Sequence, residues 1–167
     1  MTRPASILIA ACGNVAAGDD AFGPRVAQAL GSLELPNTQV ISLDMRPMAL
    51  LDDLADRDAL ILVDAVACEG MPPGQVIEFD WLDPDRPPLV DDDILSTHGL
   101  SLADQLALAE RIGMRPGIVR LIGLTVDRPA HGSAAGADLG SHVDEAVRRI
   151  LEVVNTIPVE PLRPHHA

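Results

Sequence analysis

The sequence predicts an α/β sandwich built around a mostly parallel sheet. Short apolar runs of strand length alternate along the chain with segments in which apolar residues recur at helical spacing. A helix between two strands carries the chain back across the sheet, so this alternation favours parallel strands with helices on both faces. The length of 167 residues fits one domain, which we assign to residues 1–157.

The first half of the chain contains three of the predicted strands and two of the helices. Each strand is a run of consecutive apolar residues, as expected where both faces of a sheet are covered. The helices are indicated by apolar residues three or four positions apart, and Pro24 stands in the first turn of the first helix, where its missing N–H costs little. In order, these elements are a strand over 7–11, a helix over 22–30, a strand over 39–43, a short helix opened by Pro47, and a strand over 59–63 that ends at Asp64.

The second half adds two strands and two helices, separated by two loops. A Pro-Pro-Gly turn precedes the first of these strands, which is a candidate for an antiparallel edge strand. Ser101 and Asp104 stand where a capping box would open the next helix, and Gly113 would end it. In order, the remaining elements are a strand over 75–79, a solvated loop over 80–93, a helix over 102–109, a strand over 118–124, a loop over 128–137, a helix over 139–154 and a flexible tail over 158–167.

The charge balance and the aromatic content exclude two classes of binding partner. The chain carries 25 acidic residues against 12 basic ones, a net charge of −13, and its aromatic residues are Phe22, Phe79 and Trp81. A nucleic-acid binder needs a basic surface and commonly uses stacking rings, and an anionic membrane surface also attracts basic residues. No apolar run approaches the length that spans a bilayer. The two isolated cysteines, Cys12 and Cys68, favour a reducing cytoplasm.

Three polar residues near the ends of predicted strands are candidates for a metal site. Ligands of open α/β sheets bind beyond the carboxyl ends of the strands, where Asp20 and Asp64 are expected, and His98 lies in the loop before the next helix. Two carboxylates and one imidazole nitrogen suit a divalent first-row metal and leave coordination positions open. Alternatively, Asp20 caps the helix after it, Asp64 terminates its strand, and His98 is a solvated loop residue.

Three segments along the chain carry short polar and glycine-containing motifs. The first follows the pattern x-G-N-x-x-x-x-D-D-x-x-G, the second is ILVDA with a later Pro-Gly, and the third is STHGLSL. In order and at matching spacing, these segments resemble the motifs of the nickel–iron hydrogenase maturation endopeptidases. The strand after these motifs and the long last helix also match, so that the resemblance spans residues 5–155. In this sequence the three motifs occupy residues 12–23, 61–74 and 96–102.

The resemblance implies a twisted five-stranded sheet in a three-layer α/β/α sandwich, and a cytoplasmic protease. The substrate would be the precursor of a hydrogenase large subunit, which loses its C-terminal extension after nickel has been inserted. Asp20, Asp64 and His98 match the family's metal-binding positions, so they are expected to contact the nickel that the precursor supplies and to carry catalysis. The nickel would polarise the scissile carbonyl or activate a water molecule.

Three further residues are expected to support this site or to contact the substrate. Asn14 and Asp19 belong to the first motif, and Asp19 would help to orient Asp20 or the start of the following helix. The family usually has Asp-Gly-Gly-Thr after its second strand, where this chain has Ser-Leu-Asp-Met-Arg-Pro, so Asp44 is the candidate for that Asp. Because this loop is expected to select the precursor, its altered sequence leaves the identity of the hydrogenase open.

Two other functions are compatible with the same residues. A cysteine hydrolase would use Cys12 as nucleophile, His98 as base and Asp64 to orient the histidine. A non-catalytic module would bind the precursor, or would hold a nucleotide in the segment 13–23. That segment lacks the glycine spacing of the known phosphate-binding loops, and its two aspartates would repel phosphate.

Overall fold

The centre of the molecule is a sheet in which parallel strands are joined by one antiparallel edge strand. The computed structural model describes residues 4–15, 18–44, 49–90, 101–127 and 139–158. Within these ranges the sheet has five strands in the spatial order β2-β1-β3-β5-β4, and only the pair β4 and β5 is antiparallel. The strands are β1 (Ile7–Cys12), β2 (Thr38–Asp44), β3 (Ala59–Val66), β4 (Val76–Asp80) and β5 (Ile118–Thr125). The predicted sheet, including its antiparallel edge, is confirmed.

Helices cover both faces of the sheet and complete the predicted three-layer sandwich. Residues of the first and last helices pack into a hydrophobic cluster on one face, and residues of the second and third helices pack into a cluster on the other. Successive residues of β1 enter the two clusters alternately, which explains why this strand is apolar throughout. The helices are α1 (Phe22–Gly31), α2 (Ala49–Asp53), α3 (Leu102–Arg111) and α4 (Leu139–Thr156), and a short 3-10 helix (Gly18–Ala21) precedes α1.

β3 extends beyond the point at which the sequence predicts its end. The apolar run stops at Val63, but the structure pairs Asp64 with Gly123 of β5 and continues the strand to Val66. The strand continues because β5 runs beside it and supplies backbone hydrogen bonds, which do not depend on the side chain. Asp64 is therefore a strand residue with a buried side chain, and the prediction that the strand ends there is wrong.

The start of α3 has the predicted capping box. The Ser101 hydroxyl accepts the N–H of Asp104 at 3.1 Å, and the N–H of Ser101 donates to the Asp104 carboxylate at 3.2 Å. These two bonds satisfy backbone donors that a helix start leaves without partners. The predicted loop 80–93 begins one residue later than expected, because Asp80 is the last residue of β4.

Several predicted features lie outside the described residues. These are Pro47, residues 91–93 of the acidic loop, His98, the loop 128–137 and residues 159–167 of the tail. Residues from Ala5 to Ile157 contribute to one of the hydrophobic clusters, but the assignment of 1–157 to a single domain stays a prediction. Among the helices that the structure describes, none is long and apolar enough to cross a membrane.

Candidate functional site

Cys12 and Asp64 lie side by side at the carboxyl edge of the sheet. β1 and β3 are parallel neighbours, and their register sets Ala11 opposite Val63, one residue before Cys12 and Asp64. Because side chains alternate along a strand, both residues point to the face covered by α2 and α3, as the neighbouring alternate residues of each strand do. Burial, followed by the charge of Asp64, raises the pKa of the Cys12 thiol, so the two groups interact.

The loop after β1 turns back, so that Asp20 returns to the end of the strand. The N–H of Asn14 donates to the carbonyl oxygen of Asp20 at 2.9 Å and closes the loop. Asp20 lies in the short 3-10 helix before α1, and its carboxylate raises the pKa of both Asp64 and Cys12. Two carboxyl groups that are distant in the sequence therefore interact electrostatically at one edge of the sheet.

The environment of Asp64 disfavours its ionised form. Its side chain is buried, and one carboxylate oxygen accepts the N–H of Ala65 at 2.8 Å. Burial, followed by the charge of Asp20, raises the pKa of Asp64 to about 8, against the opposing effect of the Ala65 hydrogen bond. At neutral pH this carboxyl group retains its proton unless a positive charge takes the place of the proton.

Cys12 has the wrong environment for a nucleophile. Its side chain is fully buried, and burial, followed by the charges of Asp64 and Asp20, raises the pKa of the thiol well above its ordinary value. Reactive cysteines need the opposite conditions, a positive environment and access to solvent, because the thiolate is the attacking species. This geometry argues against the cysteine hydrolase as an alternative function.

The residues predicted to support the site lie at the same edge of the sheet. Asn14 and Asp19 belong to the segment that carries Asp20. Asp44 ends β2, and its backbone pairs with Cys12 across a register shift between the two strands. The predicted supporting residues of the first half of the chain therefore all lie near the carboxyl ends of β1, β2 and β3.

His98, the third predicted ligand, lies outside the described residues. Within the described ranges, no three His, Cys, Asp or Glu side chains form a group that could hold a metal ion. The structure brings Asp20 and Asp64 together, and the complete ligand set with His98 stays a prediction.

The sequence placed Cys12 and Asp64 in one site only in the cysteine hydrolase alternative, and it did not predict that they lie side by side on neighbouring strands. The contact depends on the register of two strands that are far apart in the chain. Ile7 and Ala59 are paired at the starts of β1 and β3. Cys12 and Asp64 each lie five residues further along, so the same register places them side by side. Both starting points were predicted, so this simple count was the signal that could have found the contact.

Comparison with known proteins places this fold in a family. A family model described as hydrogenase maturation protease matches residues 24–157. The hydrogenase 2 maturation protease of Escherichia coli is 27% identical over 158 residues, which cover 93% of this chain and 94% of that protein. A putative hydrogenase maturation protease of Methanocaldococcus jannaschii is 29% identical over 148 residues, which cover 87% of this chain and 94% of that protein.

Solved structures of such proteins have the same architecture. A hydrogenase maturating endopeptidase from Escherichia coli has a TM-score of 0.73 at 24% identity, with 90% of this chain and 92% of that chain covered. A hydrogenase 2 maturation peptidase from a Thaumarchaeota archaeon has a TM-score of 0.61 at 28% identity, with 89% and 97% covered. The predicted resemblance is confirmed, and it favours a protease over a nucleotide-binding module. The chain belongs to the hydrogenase maturation protease family, whose members are peptide-bond hydrolases.

Proposed function

We propose that this chain cleaves the precursor of a nickel–iron hydrogenase large subunit. It removes the C-terminal extension of the precursor once nickel has been inserted, and it senses the nickel through Asp20, Asp64 and His98. Membership of the family supports the reaction class, and the names of its relatives support the connection to hydrogenases. The single observation that carries the proposal is the pair formed by buried Asp64 and neighbouring Asp20 at the carboxyl edge of the sheet.

This pair of carboxyl groups suits a cation. Asp64 is buried beside the charge of Asp20, and each additional negative charge in such a place is unfavourable. The ion pairs between Arg115 and Glu110 and within α4 lie elsewhere and do not involve Asp64. A divalent ion would interact favourably with both carboxylates at once.

Nickel belongs to the substrate in this proposal, and the protease recognises it there. Carboxylate oxygens and an imidazole nitrogen form a donor set that first-row divalent ions accept. A precursor without nickel brings no cation to Asp20 and Asp64, so its docking would be weaker. Once the precursor is bound, its metal supplies Lewis-acid chemistry near the scissile bond, where water adds to the carbonyl carbon and a proton goes to the leaving amine.

The proposal is tested with nickel-loaded and nickel-free precursor, by following the mass of the large subunit during incubation with the protein. The loaded precursor should lose its C-terminal extension, and the nickel-free precursor should remain intact. Asp20→Asn and His98→Ala should each leave the loaded precursor uncleaved, because each removes one proposed contact to nickel. Circular dichroism and thermal unfolding should show that both variants are folded.

Two substitutions on α4 are matched controls, since they change the same residue types away from the site. Asp144→Asn alters an exposed aspartate and His142→Ala a partly exposed histidine, and both variants should cleave like the wild type. Equal cleavage of the loaded and nickel-free precursors would contradict nickel sensing. Normal cleavage by Asp20→Asn and His98→Ala would contradict the proposed ligands.

A further inference from the structure

Two glycines lie where the end of β1 and the start of α1 come close together. At Gly23, a Cβ atom would lie 1.9 Å from the carbonyl oxygen of Cys12. At Gly13, which has a positive φ of 124°, a Cβ atom would lie 2.0 Å from the carbonyl oxygen of Asp20. Both distances are far shorter than any contact between carbon and oxygen atoms, so only glycine fits at either position.

The two contacts are reciprocal. Gly13, on the strand side, lies against Asp20 in the short 3-10 helix before α1, and Gly23, on the helix side, lies against Cys12, the last residue of β1. The N–H of Asn14 donates to the same Asp20 carbonyl oxygen that lies against Gly13, at 2.9 Å. We call Gly13, Asn14 and Gly23, together with the carbonyl groups of Cys12 and Asp20, the glycine clasp. The obstacles in the clasp are backbone atoms, which cannot move aside as a flexible side chain can.

We infer that the glycine clasp holds Asp20 against Asp64, and that Gly13 and Gly23 are positioning residues of the proposed nickel site. Cys12 neighbours Asp64 across the sheet, so a shift of Asp20 away from Cys12 also separates the two carboxyl groups. The consequence for cleavage rests on the proposed function. The geometric part, in which the clasp fixes the backbone of Asp20, is independent of the substrate.

Gly23→Ala is the most informative substitution. Gly23 lies within α1, and alanine is a better helix former than glycine, so any loss comes from the close approach to Cys12. The added methyl group should force the start of α1, with Asp20, away from β1. Because misplacement by about 1 Å costs about 100-fold in rate, we expect a loss of about 100-fold in kcat/KM on the nickel-loaded precursor.

Gly31→Ala is the matched control within the same helix. Gly31 is the last residue of α1, and outside the helix backbone and the adjoining residues no described atom lies within 4 Å of the position of its Cβ. This variant should cleave like the wild type. A loss in Gly31→Ala equal to that in Gly23→Ala would overturn the inference, because the effect would then come from the helix itself.

A compensating substitution separates positioning from a general loss of structure. In the Gly23→Ala background, Asp20→Glu lengthens the side chain by one methylene group and lets the carboxylate reach back toward Asp64. The double variant should therefore recover much of the lost cleavage. A disturbed fold would not be repaired by this change, so failure of the rescue in a folded double variant would overturn the positioning role.

Amide hydrogen exchange at Asn14 tests the clasp without any substrate. The Asn14 N–H is bonded to the Asp20 carbonyl, so Gly23→Ala should accelerate its exchange about tenfold, while amides of α4 stay unchanged. If Gly23→Ala does not fold, Pro24→Ala serves instead. The Pro24 ring lies close to Gly13, since its Cδ atom would be 3.2 Å from a Cβ built there. Pro24→Ala removes this packing without adding an overlap, so it should accelerate the exchange of the Asn14 N–H to a smaller extent.

The outcomes distinguish the inference from the proposed function. Unchanged Asn14 exchange in both variants would overturn the clasp, even if the wild type cleaves as proposed. A wild type that fails to cleave the loaded precursor would instead overturn the proposed function, and the exchange at Asn14 would still decide whether the clasp holds Asp20.

Discussion

Asp58 lies directly before β3 and Asp64 lies near the carboxyl end of this strand, and each residue is 5% exposed. The Asp58 carboxylate accepts the N–H of Ser6 at 2.7 Å, and the N–H of Asp58 donates to the Ser6 carbonyl at 2.9 Å. The Asp64 carboxylate accepts the N–H of its own neighbour, Ala65, and lies close to the charge of Asp20. Two aspartates with equal burial thus differ in what surrounds their carboxylates: a backbone N–H from β1's entry segment at Asp58, and a second acidic residue at Asp64.

The difference shows which end of the sheet contributes to stability. At the amino edge, the hydrogen bond between Asp58 and Ser6 joins the start of β3 to the segment before β1. Arg57 donates two further hydrogen bonds, to the Ser6 hydroxyl at 3.0 Å and to the Asp53 carbonyl at 2.9 Å. At the carboxyl edge, burial and the charge of Asp20 raise the pKa of Asp64. A buried carboxyl group with a strongly shifted pKa is typical of functional sites. Its unfavourable electrostatic environment lowers the stability of the fold and is relieved when a ligand of opposite charge binds.

The largest effect is expected when the two aspartates are replaced one at a time. Asp64→Asn should abolish cleavage of the nickel-loaded precursor, because an amide offers no anionic oxygen to the metal, and the variant should remain folded. Asp58→Asn should retain cleavage. The mass of the large subunit, measured at equal concentrations of folded protein, reports both results. Similar losses in the two variants would remove the functional distinction between the two ends of β3.

The second effect is a pH dependence of stability that originates at Asp64. Its pKa of about 8 in the folded protein exceeds the value of about 3.9 for aspartate in an unfolded chain. The bound proton therefore contributes stability fully below about pH 4, and this contribution is lost as the pH rises toward 8. Each pKa unit corresponds to about 1.4 kcal/mol, so we expect the free energy of unfolding to fall by about 5 kcal/mol across this window for this reason.

Denaturant titrations at several pH values measure this effect. Asp64→Asn should flatten the profile and make the protein more stable than the wild type near pH 8, because the amide carries no charge to bury. The difference between the two profiles isolates Asp64 from the other carboxyl groups of the chain. Parallel profiles for the wild type and the variant would show that Asp64 is not the source of the pH dependence.

The third effect concerns stability at the amino edge. Asp58→Ala leaves the N–H of Ser6 without its carboxylate acceptor and should lower the free energy of unfolding by about 2 kcal/mol. Thermal or denaturant unfolding at neutral pH measures the loss, with Asp144→Ala on the exposed face of α4 as the control. If Asp58→Ala were as stable as the control, the structural role of the amino edge would be refuted.

The architecture was predictable from the sequence because its signals are local. The apolar runs of β1 and β3 and the spacing of apolar residues in α1 depend on residues adjacent in the chain. The end of β3 was missed because it depends on β5, which lies far along the chain and pairs with Asp64 through backbone atoms. The local sequence of one strand does not show which distant strand pairs with it or how far the pairing extends.

The site was predictable only in part, for the same reason. Strand ends and motif spacing pointed to Asp20 and Asp64, because parallel strands end at one edge of a sheet. The raised pKa of Asp64 was not predictable, since it depends on burial and on the distance to Asp20. The close approach at Gly13 and Gly23 is a contact between backbones, and glycine in a motif does not reveal which atoms it makes room for.

The smallest effect is expected at Cys12, which lies beside Asp64 but has no proposed part in the reaction. Cys12→Ala removes one buried heavy atom and should lower the free energy of unfolding by about 1 kcal/mol, with the rate of cleavage unchanged. The reason is the surroundings of the thiol: burial and two nearby carboxylates raise its pKa, so the attacking thiolate is disfavoured. A folded Cys12→Ala variant that no longer cleaves the loaded precursor would make Cys12 the nucleophile. Asp64 would then support a cysteine nucleophile, and its difference from Asp58 would reflect cysteine catalysis and not nickel binding.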